Sequence, residues 1–295
     1  MQPLKRPWRD YSGRVSPFKT VVFTGLFLPA AWVAYKFATD HLGSRPLDEA
    51  LLEIGQWTLR ILFLTLTVTP LSRMLAWPRL NLIRRMLGVG AFAYITIHFS
   101  LYIVSESYSL GAVVSEILKR VYLSIGFVAL LGLAALAATS TDGMVWRLGP
   151  RRWRALHRFV YLIGLLGLVH FFLQSKLDEW EPTVMIGLFA WLMGWRALAW
   201  GFGRRPVPLW SIVLLTFAAG PFIALLEAVY FHFAYHVTVA RMLMADLTFE
   251  TGVRPAWVVF GIVAAVTGVA LTRAVLRRPS LKPAWLPVVS KLNSN

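Results

Sequence analysis

Along the chain, apolar residues gather into eight runs, 19–38, 51–71, 86–105, 121–139, 157–175, 183–200, 208–229 and 255–274, with most charges confined to the gaps. Each run approaches the roughly 20 helical residues that cross a hydrocarbon layer of about 30 Å. The sixth is short but is bounded by charge. Glycine and proline recur inside several runs, which a span packed against other helices tolerates better than a water-exposed helix. The pattern predicts an all-α membrane protein. A weaker division falls after residue 206. Six spans carrying His98, His157 and His170 precede it, and two spans joined by an outer segment, 230–254, follow it. We read 1–206 as a six-helix bundle and 207–295 as a C-terminal two-helix extension with a tail. The stretch 105–120 mixes apolar residues with Ser, Glu and Lys, as an interfacial helix does.

Lysine and arginine give this array a direction. With the N-terminus inside, segments 1–19, 73–85, 140–158, 196–206 and 273–295 hold 22 of the 30 basic residues, and only Asp10 and Asp142 of the 14 acidic ones share that face. The positive-inside rule then places both termini in the cytoplasm. The net charge of +16 is accounted for by this distribution, so it does not call for a nucleic-acid partner. Residues 1–19 lack a small-residue cleavage signal and read as a retained cytoplasmic arm. Composition agrees with a bilayer protein: 57% of residues are hydrophobic and 15% charged, against about 25% charged in soluble domains. There is no cysteine, which excludes disulfides, thiolate-ligated metal or iron–sulfur sites, and cysteine-attached haem.

Candidate chemistry rests on histidine. His157 and His170 stand thirteen residues apart in the fifth run. At 1.5 Å per residue that is about 20 Å, close to the thickness of the hydrocarbon layer. His98 lies thirteen residues beyond Arg85 in a run of the same direction, so it shares the outer depth of His170. Two imidazoles at one level on neighbouring helices can supply the axial nitrogens of a haem iron. Gly164 and Gly167, with Gly88 and Gly90, would allow close helix approach. His157 has no histidine at its depth and, on a straight helix, is rotated from His170 by about 220°. It is a candidate second haem ligand, a counterion or a flavin contact. Structural hydrogen bonding and transport chemistry are the competing uses of such histidines.

Other polar residues carry weaker signals. Arg60 sits inside an apolar run, where it is a candidate contact for a haem propionate or a side chain that snorkels toward the outer headgroups. Arg85 and the cluster Arg151, Arg152, Arg154 and Arg158 are candidate propionate or flavin-phosphate contacts, although topology alone accounts for them. Trp146 and Trp153 read as interfacial anchors. His232 and His236 are spaced i,i+4, but no acidic residue completes a metal motif, and His41 stands alone in an outer loop. No non-haem metal site is expected.

The strings "ITIHFSLY", "ALAATSTDGMVWRLGPRRWRALHRFVYL" and "GLVHFF" resemble the haem-binding membrane subunit of the bacterial periplasmic methionine-sulfoxide reductase system, within the ferric-reductase-like transmembrane family. The likeness covers roughly residues 15–205. It implies a six-helix inner-membrane electron conduit. Electrons would come from quinol, or from a cytoplasmic flavin-linked donor, and pass through one or two haems b. The acceptor would be a periplasmic molybdopterin enzyme that itself reduces methionine sulfoxide in oxidised proteins. The resemblance also implies FMN, and it marks His98, His157 and His170 as haem-associated. The broader family commonly places two histidines on each of two helices, whereas the third run here supplies only His98, which puts a second bis-histidine haem in doubt. A quinone oxidoreductase of the same class with another acceptor is the near rival, and a transporter or membrane scaffold the distant one.

Overall fold

The structure, a computed structural model, describes residues 8, 13–175, 179–203, 205–249 and 252–276. Both termini, expected in the cytoplasm, lie largely outside the described residues. In chain order the helices are α1 Pro17–Gly25, α2 Leu28–Ala38, α3 Pro46–Met74, α4 Arg84–Ser105, α5 Leu110–Lys119, α6 Val121–Ala138, α7 Asp142–His157 and α8 Val160–Ser175. They continue with α9 Trp180–Gly201, α10 Leu209–Tyr235, α11 Val239–Thr248 and α12 Pro255–Leu276, and a 3-10 turn, Pro78–Leu82, lies between α3 and α4. Eight segments are long and apolar enough to span a bilayer, so the chain is a multi-pass membrane protein.

The first span is broken at Leu26 and Phe27, between α1 and α2. The Tyr94 hydroxyl fills the gap, accepting from Ala30 N at 3.0 Å and donating to Leu26 O at 2.6 Å. A side chain inserted into the i→i−4 ladder in this way is one of the recognised causes of a helix break. The predicted interfacial helix is present as α5. It is capped by Ser109, whose hydroxyl accepts from Ala112 N at 3.3 Å.

The fifth run departs from expectation. A turn at Arg158 and Phe159 separates α7 from α8, so the span proper starts at Val160 and His157 ends a preceding helix. That helix is itself kinked at Gly149, which adopts φ 74° ahead of Pro150. A glycine tolerates this left-handed conformation, and a proline suits the first turn of the helix that resumes after it. The rise and rotation computed for one straight helix from His157 to His170 therefore do not apply.

The expected division into a six-helix bundle with an added hairpin is overturned by the packing. α3 is central, against α2, α4, α8 and α9, while α6 pairs with α8 and α4. α9, the sixth span, faces this group on one side and α10 and α12 on the other. Gly187 of α9 receives the side chains of the last two spans: a β-carbon there would sit 2.6 Å from Val259 and 2.8 Å from Ile223. Gly194 receives Leu215 in the same way. A buried polar chain crosses the same seam. Trp191 Nε1 donates to Thr216 Oγ1 at 3.3 Å, and Thr216 and Thr267 share a 2.8 Å hydrogen bond. One apolar core runs from Leu59 and Leu66 through Trp191 to Ile223 and Val259. The result is a single eight-span assembly of twelve α-helices among the described residues, with the last two spans built into it.

Candidate functional site

Four spans, α3, α4, α6 and α8, enclose a cavity of about 580 Å³. Its wall is apolar where Leu59, Leu62, Leu133 and Ile163 face it, and it ends in a polar mouth that includes Glu106, Glu116, Arg120 and Glu181. The volume lies within the range of about 300–1,000 Å³ usual for ligand and cofactor sites. On the positive-inside expectation this mouth would open on the outer side. The amphipathic helix α5 lies across it, held to α6 by Ser124 Oγ, which donates to Ile117 O at 2.5 Å.

His98 of α4 and His170 of α8 both line the cavity. Their ring centres are 6.4 Å apart and their planes cross at 81°. Two metal–imidazole bonds of about 2.0–2.1 Å, plus two ring radii, make a centre-to-centre span of roughly 6 Å. The observed ring separation is of the size that one metal ion held between two imidazoles requires.

The rings are held alike. His98 Nδ1 lies 2.9 Å from Leu51 O, and His170 Nδ1 lies 2.8 Å from Tyr122 O. A carbonyl can only accept, so each Nδ1 carries the proton and donates it. Each Nε2 is left with its lone pair, which is the tautomer a metal requires, and such a second hydrogen bond is what usually orients a ligating histidine. Among the described residues, no three His, Asp or Glu side chains converge as a metal-binding group. A metal taken by this pair would have two protein ligands and would draw its remaining bonds from elsewhere, as the iron of a porphyrin does. Tyr102, one turn beyond His98, adds a buried hydroxyl with no protein partner in the cavity lining. Such a group is costly unless something else satisfies it. Cavity size, free Nε2 pair and orphan hydroxyl together fit a haem.

The remaining expected residues are dispersed. His157 lines no part of the cavity. Its ring stacks on Trp153, centres 3.8 Å apart, its Nδ1 lies 3.1 Å from Trp153 O, and its Nε2 lies 3.4 Å from Ser140 Oγ. Arg60 is paired with Glu181 at the mouth, with Nη2 2.5 Å and Nε 2.9 Å from Oε1, and its guanidinium lies over Trp57. Arg85 donates to Asp142 Oδ1 at 2.5 Å. Arg151, Arg152, Arg154 and Arg158 are exposed, and none of them lines the cavity. His236 caps α10 in a left-handed conformation, so it does not share a helix face with His232, and His41 is bonded to Thr39.

Sequence reasoning missed Gly55, Gly126, Tyr102 and the two carbonyls. Gly164 and Gly167 do admit neighbours, but these are Phe189 and Leu59, and Gly88 and Gly90 meet Thr65 and Leu26. The glycines against the histidines lie on the other two helices, and nothing local to His98 or His170 announces them.

Fold and site define a helical membrane protein in which two histidines from different spans face one another across a buried cavity. Residues 51–168 match the model of the ferric reductase like transmembrane component. The chain is 39% identical over 186 residues to the protein-methionine-sulfoxide reductase heme-binding subunit MsrQ of Caulobacter vibrioides, covering 63% of this chain and 87% of that protein. The subunit of the same name from Rhodospirillum rubrum is 38% identical over 189 residues, 64% of this chain and 88% of its own. That from Herminiimonas arsenicoxydans is 34% identical, again over 189 residues, 63% and 87%. No solved structure matches. The chain belongs to this family of ferric-reductase-like heme-binding membrane subunits, and it is a multi-pass protein of the bacterial inner membrane. The matches leave more than a third of the chain without a counterpart.

Proposed function

We propose that the protein is the electron-transfer subunit of a methionine-sulfoxide reductase system and binds haem b between His98 and His170. The observation that carries this reading is the pair itself: two imidazoles 6.4 Å apart on one cavity, each with Nδ1 engaged and Nε2 free. The names of the relatives, heme-binding subunits of a protein-methionine-sulfoxide reductase, support it. When bound, haem supplies a one-electron ferric–ferrous couple. The chain's own residues do the rest. His98 and His170 hold the group in the outer half of the bundle, Leu59, Leu62, Leu133 and Ile163 keep water from it, and Tyr102 offers a hydrogen bond to its polar edge. A ring of paired charges, Arg60 with Glu181 and Arg120 with Glu116, borders the mouth from which an electron would leave. Sulfoxide reduction takes place on a periplasmic molybdopterin partner, so this chain is not itself the site of that reaction. Electrons enter from quinol or a flavin-linked cytoplasmic donor. Residues 1–206 form the redox portion, and 207–295 serve the last two spans and the tail. FMN finds no support in the relatives' names, which mention haem alone.

The test is visible spectroscopy of the purified protein before and after reduction, with haem extracted and counted. Unvaried protein should hold one haem at this pair, and His98→Ala and His170→Ala should each abolish the same absorption. His157→Ala should leave it in place. Protein that stays haem-free when haem is plentiful would sink the reading. Loss with His157→Ala alone would move the site to the inner end. A haem-loaded protein that cannot reduce the periplasmic reductase would favour the quinone oxidoreductase with another acceptor.

A further inference from the structure

The two histidine seats are built to one plan. His98 gives its Nδ1 proton to Leu51 O on α3, and Gly55 lies four residues further along that helix. His170 gives its Nδ1 proton to Tyr122 O on α6, where Gly126 is again four residues on. On an α-helix the carbonyl of residue i points toward residue i+4. A side chain at i+4 would therefore stand beside that oxygen, where an incoming ring must pass. A β-carbon at Gly55 would lie 2.9 Å from both Nδ1 and Cε1 of His98. At Gly126 it would lie 2.7 Å from Nδ1 and 2.8 Å from Cε1 of His170. The imidazole could yield only by swinging away from the carbonyl, giving up its hydrogen bond and re-aiming Nε2.

We propose that Gly55 and Gly126 are positioning residues: each leaves open the turn of α3 or α6 whose carbonyl fixes a ligand's tautomer and direction, so that both Nε2 atoms converge on one metal. This rests on the haem reading above and adds what holds the ligands. The carbonyl bond also makes the imidazole a stronger electron donor, which favours the more highly charged ferric state and lowers the reduction potential. The two seats thus set the potential at which the subunit releases electrons as well as the occupancy of the site.

The experiment compares Gly55→Ala and Gly126→Ala with Gly88→Ala and Gly111→Ala in the full chain, purified with and without haem. A β-carbon at Gly88 comes no closer than 3.7 Å to Thr65, and one at Gly111 meets nothing within 4 Å. The two seat variants should bind haem about 10- to 100-fold more weakly, the cost typical of losing an outer-shell partner. Haem that remains should show a raised midpoint potential, and the controls should match the unvaried protein on both counts. Haem-free protein separates positioning from folding. There the ring is free to swing aside and alanine favours helix over glycine, so the seat variants should melt no lower than the unvaried chain. A second measurement needs no substitution. In the haem-loaded protein, proton NMR should show two ligand Nδ1–H resonances that exchange slowly with deuterated solvent. Full haem content with an unshifted potential in both seat variants would overturn the assignment, as would rapid exchange of those protons. If His98→Ala and His170→Ala keep their haem, the haem reading itself fails. If they lose it while the seat variants bind normally, only the role of the glycines falls.

Discussion

Glycine notches occur on both sides of α9, and they are filled in different ways. Between α9, α10 and α12, Gly187 takes Val259 and Ile223 and Gly194 takes Leu215, while the hydroxyls of Thr216 and Thr267 bond to each other and to Trp191. Between α3, α4, α6 and α8, Gly55 and Gly126 take imidazole rings. Each ring spends one nitrogen on a backbone carbonyl and keeps the other, and Tyr102 keeps a buried hydroxyl. In the first region the notches serve packing. In the second, polar capacity is left over beside a 580 Å³ cavity. Close helix approach is common to both regions, and the unspent donors and acceptors next to open volume are what distinguish the second as the candidate site.

The comparison can be broken by variants that act on one region and are read in both. The largest effect is expected from Arg254→Met. Arg254 lies 2.8 Å from Glu227 Oε1 and 3.5 Å from Asp246 Oδ1, and both carboxylates are buried. Removing the cation strands two buried acids and should cost about 3–5 kcal/mol in detergent unfolding, with the haem spectrum unchanged while the fold lasts. Gly187→Ala comes next. Overpacking against Val259 should cost about 1–3 kcal/mol, again without moving the haem midpoint potential. Thr267→Val removes one interhelical hydrogen bond and should cost about 1 kcal/mol in the same assay.

The smallest effect is a pH slope. Burial pushes the Asp246 carboxyl above its ordinary range, against the pull of Arg254. The native state then holds its proton more tightly than the unfolded chain does. Stability should therefore decline as pH rises from the unfolded value to the raised folded one, and Asp246→Asn should flatten that part of the profile. If any of these four changes altered haem content as strongly as His98→Ala, the two regions would not be separable in function, and the contrast drawn between them would fail. Haem, conversely, should stabilise the protein by mass action and protect the histidine-bearing spans.

Spans, their order and the shared level of His98 and His170 were legible in the amino-acid sequence because each depends on position along one axis. A helix advances 1.5 Å per residue whatever surrounds it, apolar length decides what enters lipid, and the count of Lys and Arg decides which loops stay inside. The break after His157 was harder to read, because the run stays apolar from Phe159 onward and the kink at Gly149 lies upstream.

Rotation about each helix and the identity of its neighbours belong to the tertiary structure alone. Leu51 and His98 are 47 residues apart, Tyr122 and His170 48, and Thr216 and Thr267 51. No local pattern encodes such pairings. They follow from which faces the assembled helices turn toward one another, and a glycine reads the same in a sequence whether valine or imidazole comes to rest in it. The separation of the last two spans as an added hairpin failed for that reason: charge and loop length mark where a helix leaves the membrane, while packing against Gly187 and Gly194 decides what it joins.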